Sequence, residues 1–484
     1  YMNKKKSIKL NFVMNALLNM SSFIFPLITF PYVSRILSPE GTGKVSFANS
    51  VIAYFALFAQ LGIPTYGIRA CAKVRDNKEK LSRTVQEIFI INMVMTVITY
   101  IVFGITLVCV PRLQTERPLF LIMSTTLLFN AVGLDWLYRG LEKYTYITVR
   151  SILFKFIALL AMFALIHQKS DYVIYGGISI FAASASNICN LVNVHRYIQI
   201  RPVRKYQFQR HLKPVMIFFA MSCATTIYTN LDTVMLGFIK TDIDVGYYNA
   251  AVKIKSVLLG IVTSLGTVLL PRASYYIEHH EMEEFRRITK KAINFVFLIA
   301  VPLTCYFILY AKEGILFLSG KEYMPAVIPM QIIMPVVVLT GAAQVCIMQA
   351  LIPLKKDKAV LLASVIGAVT AVLFNIMFVG QLGAIGSALV LLCSEICSDI
   401  FAFGYAIKKK VFTLPWRFIV KRIISSIPYI AICYTTGKCL NLNNIATLFI
   451  ALLICGFYFG VEGLFVLKLP IVRDFFAEIK KQIR

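Results

Sequence analysis

Fourteen stretches of roughly twenty apolar residues run through this 484-residue chain, and every other connection between them is crowded with lysine and arginine. Lipid offers no water to an open backbone, so stretches of that length cross a bilayer as helices whose peptide groups bond one another. They begin at Leu10 to Ser34 and Val45 to Tyr66, include Ser151 to Ile166, Val215 to Ile239, Tyr247 to Leu270 and Leu382 to Ile407, and end at Ile445 to Leu467. Of the 50 Lys plus Arg, roughly 38 fall in the even-numbered loops and the tails, about 9 in the odd-numbered loops and about 3 inside spans, and the basic side of such a protein is the cytoplasmic one. The expectation is an all-α integral membrane protein of about fourteen transmembrane helices with both termini in the cytoplasm.

A formal net charge of +27 would suit nucleic acid, but the cations are spread over every cytoplasmic loop instead of forming one stripe with interleaved aromatics. Topology and contact with anionic membrane lipids account for them, and no nucleic-acid partner is expected. The cysteines sit singly along the spans, the nearest pair, Cys393 and Cys397, sharing one helical face without a histidine nearby. They read as packing residues, with no metal site, no disulfide framework and no cofactor. The basic start runs into the first span without a small-residue cleavage site, so no cleaved leader is expected. No external loop exceeds about fifteen residues, which leaves no room for a soluble catalytic domain outside the membrane.

Helices 1 to 6 and 7 to 12 start on the same side and repeat in parallel, with Gly43 falling opposite Gly246. Repeats of that kind are related by an axis along the membrane normal, as in transporters whose two lobes rock about a central site. The division this predicts is an N-lobe over 1–200, a C-lobe over 201–410, and an appended helix pair with its tail over 411–484. Matched helices carry matched polar faces: Asn11, Asn15, Asn19 and Ser22 on helix 1; Ser46, Ser50 and Gln60 on helix 2; Ser222, Thr225, Thr229 and Asp232 on helix 7; Asn249, Lys253, Ser256, Thr263 and Thr267 on helix 8. Interhelical hydrogen bonds, worth roughly 0.6 to 2 kcal/mol each, explain any one stripe. Four stripes in a repeat-related arrangement argue for a central hydrated cavity. Pro26 and Pro31 in the external half of helix 1 each remove a backbone donor and predict a bend, static or hinged.

Charges within the membrane are costly unless hydrated or paired. Asp232 and Lys253 both fall in the external half of the bundle, where they form either a structural clamp or an anion-attracting pair; Lys255 lies about 200° round the same helix. Arg35 ends helix 1 outside, and Arg69 and Arg272 end helices 2 and 8 inside, positions that lipid-phosphate anchors also take. Asp135, Arg139 and Glu142 gather at the cytoplasmic end of helix 4, beside Arg150 and Lys155 opening helix 5, and ion pairs folding that corner are the ordinary explanation. The candidate substrate-binding residues of a central cavity are thus Lys253, Lys255, Asp232, Asn249, Asn15, Asn19, Gln60 and Arg35; those of a cytoplasmic gate are Arg69, Asp135, Arg139, Glu142 and Arg272; Pro26 and Pro31 are the candidate hinge.

Three segments carry a family resemblance: NALLNMSSFIFPLITFPYVSRILSPEGTGKVSFANS from Asn15, GLDWLYRGLEKY from Gly133 and LDTVMLG from Leu231. With them the chain resembles the Wzx-type lipid-linked oligosaccharide flippases of the multidrug, oligosaccharidyl-lipid and polysaccharide exporter superfamily. The resemblance implies a bacterial inner-membrane protein that moves undecaprenyl-pyrophosphate-linked glycan units outward by alternating access through a cationic cavity, for O-antigen, capsule or exopolysaccharide. It also implies a polysaccharide polymerase and a chain-length regulator as neighbours. Helices 1 and 2 depart from it in having no lysine or arginine at mid-depth, so the cavity's charge is expected from Lys253, Lys255 and the helix ends. A cation or drug antiporter of the MATE branch would share the architecture, but helix 1 has no acidic residue and Asp135 is the one deep acid of the N-lobe. A membrane glycosyltransferase or polymerase would need convergent external acids, whereas Glu40, Glu116, Asp171, Asp242, Asp244, Glu313 and Glu322 are scattered.

Overall fold

A computed structural model describes residues 2–202, 206–439 and 444–465; Arg272 and Thr267 lie in a helix, but their side chains fall outside the described set, as does the tail beyond 465. Among the described residues every regular element is helical. The chain packs as two compact units, Tyr1–Gly246 and Tyr247–Arg484.

The first unit holds α1 (Met2–Gln60), α2 (Ile63–Val74), α3 (Lys78–Cys109), the short α4 (Pro111–Gln114), α5 (Arg117–Val132), α6 (Asp135–Gly140), α7 (Tyr144–Leu165), α8 (Tyr172–Ile180), α9 (Asn187–Asn193) and α10 (Gln209–Ile239), and ends on the first residues of α11 (Asp242–Glu278). The second continues α11 and holds α12 (Met282–Leu309), α13 (Ala311–Leu318), α14 (Val327–Ile333), α15 (Pro335–Gln344), α16 (Asp357–Phe374), α17 (Gly380–Leu382), α18 (Ala384–Lys408), α19 (Trp416–Cys439) and α20 (Asn444–Phe465). By length and apolarity ten helices qualify as spans among the described residues, or eleven if a pair bent by 44° at Met334 counts as one. The first of them, Val13–Val74, covers two of the fourteen stretches. The protein is a multi-pass membrane protein. Lipid-facing rows such as Val94, Ile98, Ile101 and Ile105 of α3 are left exposed, as a hydrocarbon solvent requires.

Local chemistry explains the breaks. The backbone stays helical through Pro26 and Pro31; the one non-helical residue within α1 is Ser38, at φ 62° and ψ 174°. A residue before proline is pushed out of the helical region, and Pro39 then opens the next helical turn with φ already set. The connection expected between helices 1 and 2 is therefore a single-residue corner. Asn77 caps α3, its Oδ1 accepting from the Lys80 amide at 2.9 Å. Gly383, whose φ of 55° suits glycine, turns the chain into α18. α7 starts at Tyr144 and not at Ser151, which puts Lys155 well inside the helix.

In the second unit a tyrosine of α12 and another just past its end moor the last helices: the Tyr306 phenol donates to the Leu448 carbonyl and that of Tyr310 to the Cys433 carbonyl at 2.7 Å. The thiols of Cys433 on α19 and Cys455 on α20 pack 3.1 Å apart there. That pair escaped the sequence reading because its members lie on different helices.

Candidate functional site

In the first unit the candidate residues form three levels. At the Ser38 corner α1 and the start of α11 touch through glycines. A Cβ on Gly43 would stand 1.7 Å from the Asp242 carbonyl oxygen, and one on Gly246 would stand 2.1 Å from that of Pro39. The two contacts exchange under the repeat, since Pro39 precedes Asp242 by the same interval that separates Gly43 from Gly246. Charges seal the surroundings. Arg112 pairs with Asp242 and donates to the Gly237 carbonyl at 3.1 Å. Lys44 bridges Glu40 and Glu116 at 3.0 Å each, and the Tyr172 phenol donates to Glu116 at 2.7 Å. Glu116 and Asp242, two of the external acids, are held in ion pairs.

The middle level is the polar face of α1. Asn15 is half-buried and Asn19 exposed. Against this face α7 delivers Lys155, whose ammonium donates to the hydroxyls of Ser21 at 2.9 Å and Ser22 at 3.0 Å. The sequence reading had placed Lys155 at the mouth of helix 5. The start of α7 seven residues earlier moves it to mid-helix, a shift that local propensity does not signal, since Tyr144–Val149 are aromatic and β-branched residues. On α10 the exposed hydroxyls of Thr225 and Thr229 bond back to Met221 and Thr225 carbonyls at 3.2 and 2.9 Å, while Asp232 is buried. Gln60 is half-buried at the end of α1, and Arg35 is exposed.

The third level gathers the expected gate. Asp135 accepts from Arg139 at 2.5 Å and from the buried Arg150 at 3.3 Å, and Arg150 also donates to the Ser186 carbonyl at 2.7 Å. Glu142 pairs instead with Arg75 at 2.8 Å, and Arg69 lies over the Phe218 ring at 4.9 Å. Sequence reasoning missed the strongest cluster here. Glu87, wholly buried, accepts from Arg210 at 2.6 Å, His211 at 2.7 Å, the Gln207 amide at 2.7 Å and Arg83 at 3.2 Å. We expect Asp135→Asn to lower stability by about 1–2 kcal/mol, because the amide leaves the buried guanidinium of Arg150 half-satisfied. A detergent unfolding midpoint equal to the wild type would sink that expectation.

In the second unit Asn249, Lys253 and Lys255 line α11, each half-buried. Farther on, α18 buries two acids, Glu395 and Asp399, at 6% and 5% exposure, and the Thr340 hydroxyl donates to Glu395. No group of three or more metal-ligating side chains occurs among the described residues.

Comparison with known proteins places this architecture. The polysaccharide biosynthesis protein family model matches residues 8–277. The chain belongs to that family. The MatE family model matches residues 218–377 as well, which puts this polysaccharide biosynthesis protein in the wider superfamily of exporters. A protein of Escherichia coli (strain K12) described as an O-antigen transporter is 26% identical over 81% of this chain and 94% of its own length. Among solved structures, the lipid II flippase MurJ in an inward closed conformation superposes with a TM-score of 0.76 at 15% identity, over 95% of this chain and 99% of that one. An inward-facing multidrug resistance MATE transporter gives 0.62 at 14% identity, over 82% of this chain and 97% of its own. The last two likenesses are of fold.

Proposed function

We propose that the protein is a lipid-linked oligosaccharide flippase, not an enzyme. It carries undecaprenyl-pyrophosphate-linked repeat units from the inner to the outer leaflet of the bacterial cytoplasmic membrane by alternating access, for O-antigen, capsule or exopolysaccharide assembly. Family membership and a relative described as an O-antigen transporter support the reading. The observation that carries it is Lys155, a cation set within the membrane on the polar face of α1 and held by two hydroxyls. Two hydroxyl acceptors orient that ammonium without supplying a counter-charge, a role left to an incoming diphosphate. Lys253, Lys255 and Asn249 supply the same chemistry from α11 in the second unit, and Asp232, Asn15, Asn19, Gln60 and Arg35 are the further substrate-binding residues of the first. The glycine corner is the external seal, and Arg69, Asp135, Arg139, Glu142 and Arg272 the cytoplasmic entry. Pro26 and Pro31 let α1 flex between the two levels. Both termini face the cytoplasm, and a polymerase and a chain-length regulator take over the delivered units.

The membrane potential resets the carrier in this scheme. A diphosphate neutralises the loaded cavity, whereas the empty cationic one is drawn inward by about 2.3 kcal/mol per charge per 100 mV. The test is outward translocation of a labelled undecaprenyl-pyrophosphate oligosaccharide in proteoliposomes. Lys155→Ala and Lys253→Ala are each expected to slow it about tenfold, the equivalent of 1.4 kcal/mol of lost anion binding, with Lys155→Arg retaining most of the rate. Wild-type rates in both alanine variants would remove the cationic site from the mechanism. A second reading, H⁺- or Na⁺-coupled antiport as in the MATE branch, draws on the two buried acids of α18; movement of hydrophobic cations in place of the lipid would favour it.

A further inference from the structure

The second unit contains a cleft that the transport scheme does not use. It measures about 420 Å³ and opens where the end of α18 and the start of α19 meet the first turns of α12. Arg286 and Lys410 stand at its rim, with Ile407, Phe412, Leu414 and Trp416 forming its walls. The Arg286 guanidinium donates to the Lys410 carbonyl at 3.5 Å, which fixes the two rim residues together. Phe412 is buried, yet Trp416, one of the two tryptophans of the chain, is 62% exposed. The segment from Lys408 to Lys421 carries five further or shared cations, Lys408, Lys409, Lys410, Arg417 and Lys421, and no acid.

These features describe one kind of ligand. A cleft with apolar walls and a paired basic rim suits a molecule with an anionic head and a hydrocarbon tail, and an exposed indole is at home where hydrocarbon meets water. Basic pockets between transmembrane helices on the cytoplasmic side take anionic lipid head groups for the same electrostatic reason. We propose that this cleft binds an anionic phospholipid of the surrounding membrane, its phosphate on Arg286 and Lys410 and an acyl chain along Phe412, Leu414 and Trp416. The site is distinct from the transport path and holds whatever the transported lipid proves to be.

Trp416 itself reports occupancy. In nanodiscs, acyl-brominated phosphatidylglycerol diluted into phosphatidylcholine is expected to quench Trp416 fluorescence at about a tenfold lower mole fraction than brominated phosphatidylcholine does. The Arg286→Gln, Lys410→Gln double variant abolishes that preference while transport of the labelled oligosaccharide continues. The titration is read in Trp136→Phe and repeated in the native background, where the buried Trp136 adds the same signal to both lipids and no core residue is altered. Equal quenching by the two lipids overturns the proposal, as does a preference that survives the double variant. Displacement by undecaprenyl phosphate at mole fractions below those of phosphatidylglycerol, or by millimolar inorganic phosphate, reassigns the cleft to another phosphate and overturns it too.

Discussion

Gly43→Ala is expected to cut outward flipping by about a hundredfold or more, whereas Gly104→Ala leaves it unchanged. The added methyl of Gly43→Ala would stand 1.7 Å from the carbonyl oxygen of Asp242, 2.7 Å from its carbon and 2.9 Å from the amide nitrogen of Gly246. All three are backbone atoms, so no side chain can swing aside, and relief requires α1 and α11 to part along the corner. Gly246 is equally tight against Pro39, so parting at one glycine disturbs the reciprocal contact at the other. Overpacking costs about 1–3 kcal/mol and occasionally more, and so close an approach to backbone belongs at the upper end of that range, which is the hundredfold. Gly104 has no neighbour within 4 Å of the same added atom, and in a helix interior alanine is the better residue. Flipping by Gly43→Ala at wild-type rate would show that the corner need not close.

Glu87→Ala is the second large effect, and it is read in stability. The carboxylate is fully buried and accepts hydrogen bonds from two arginines, a histidine and the Gln207 amide. His211 in turn meets the Tyr66 phenol at 2.6 Å through its other ring nitrogen. Removing the shared acceptor strands this set of donors, a loss of about 3–5 kcal/mol for a buried charge network missing one partner. Glu87→Gln should fall between, since an amide oxygen still accepts but carries no charge. The apparent unfolding midpoint of the purified protein would be measured for both variants, and midpoints within a degree of the wild type would refute the argument. Because the cluster ties α3 to the first turn of α10, limited proteolysis near Gln207 should rise in step with the loss.

Much of this protein was legible before any coordinates, and the reasons differ from place to place. Apolar length and loop charge identify spans because the bilayer imposes both. The match of Gly43 to Gly246 was visible in the repeat; that the two glycines pack on each other's neighbours was not, since a one-dimensional pattern carries no distances. Lys155 is misplaced if a helix is assumed to start where hydrophobicity does; the aromatic and β-branched residues of Tyr144–Val149 are weak helix formers, and packing rather than propensity extends the helix over them. The backbone of α1 stays helical through Pro26 and Pro31, and its one non-helical residue, Ser38, falls in the connection already expected between the first two spans. Glu87 lies more than a hundred residues from Arg210 and His211 along the chain, and only packing joins them.

The phenols of Tyr306 and Tyr310 carry an implication for how the chain is made. Tyr306 lies in α12 and Tyr310 just past its end, and both donate to carbonyls of helices that leave the ribosome more than a hundred residues later. Until then α12 must wait in lipid or against the insertion machinery with two polar groups unserved, so the second unit is incomplete throughout most of its synthesis. Late arrival of α19 and α20 is then the step that commits the unit, and chains stalled or truncated before Leu448 should be the ones a membrane protease recognises.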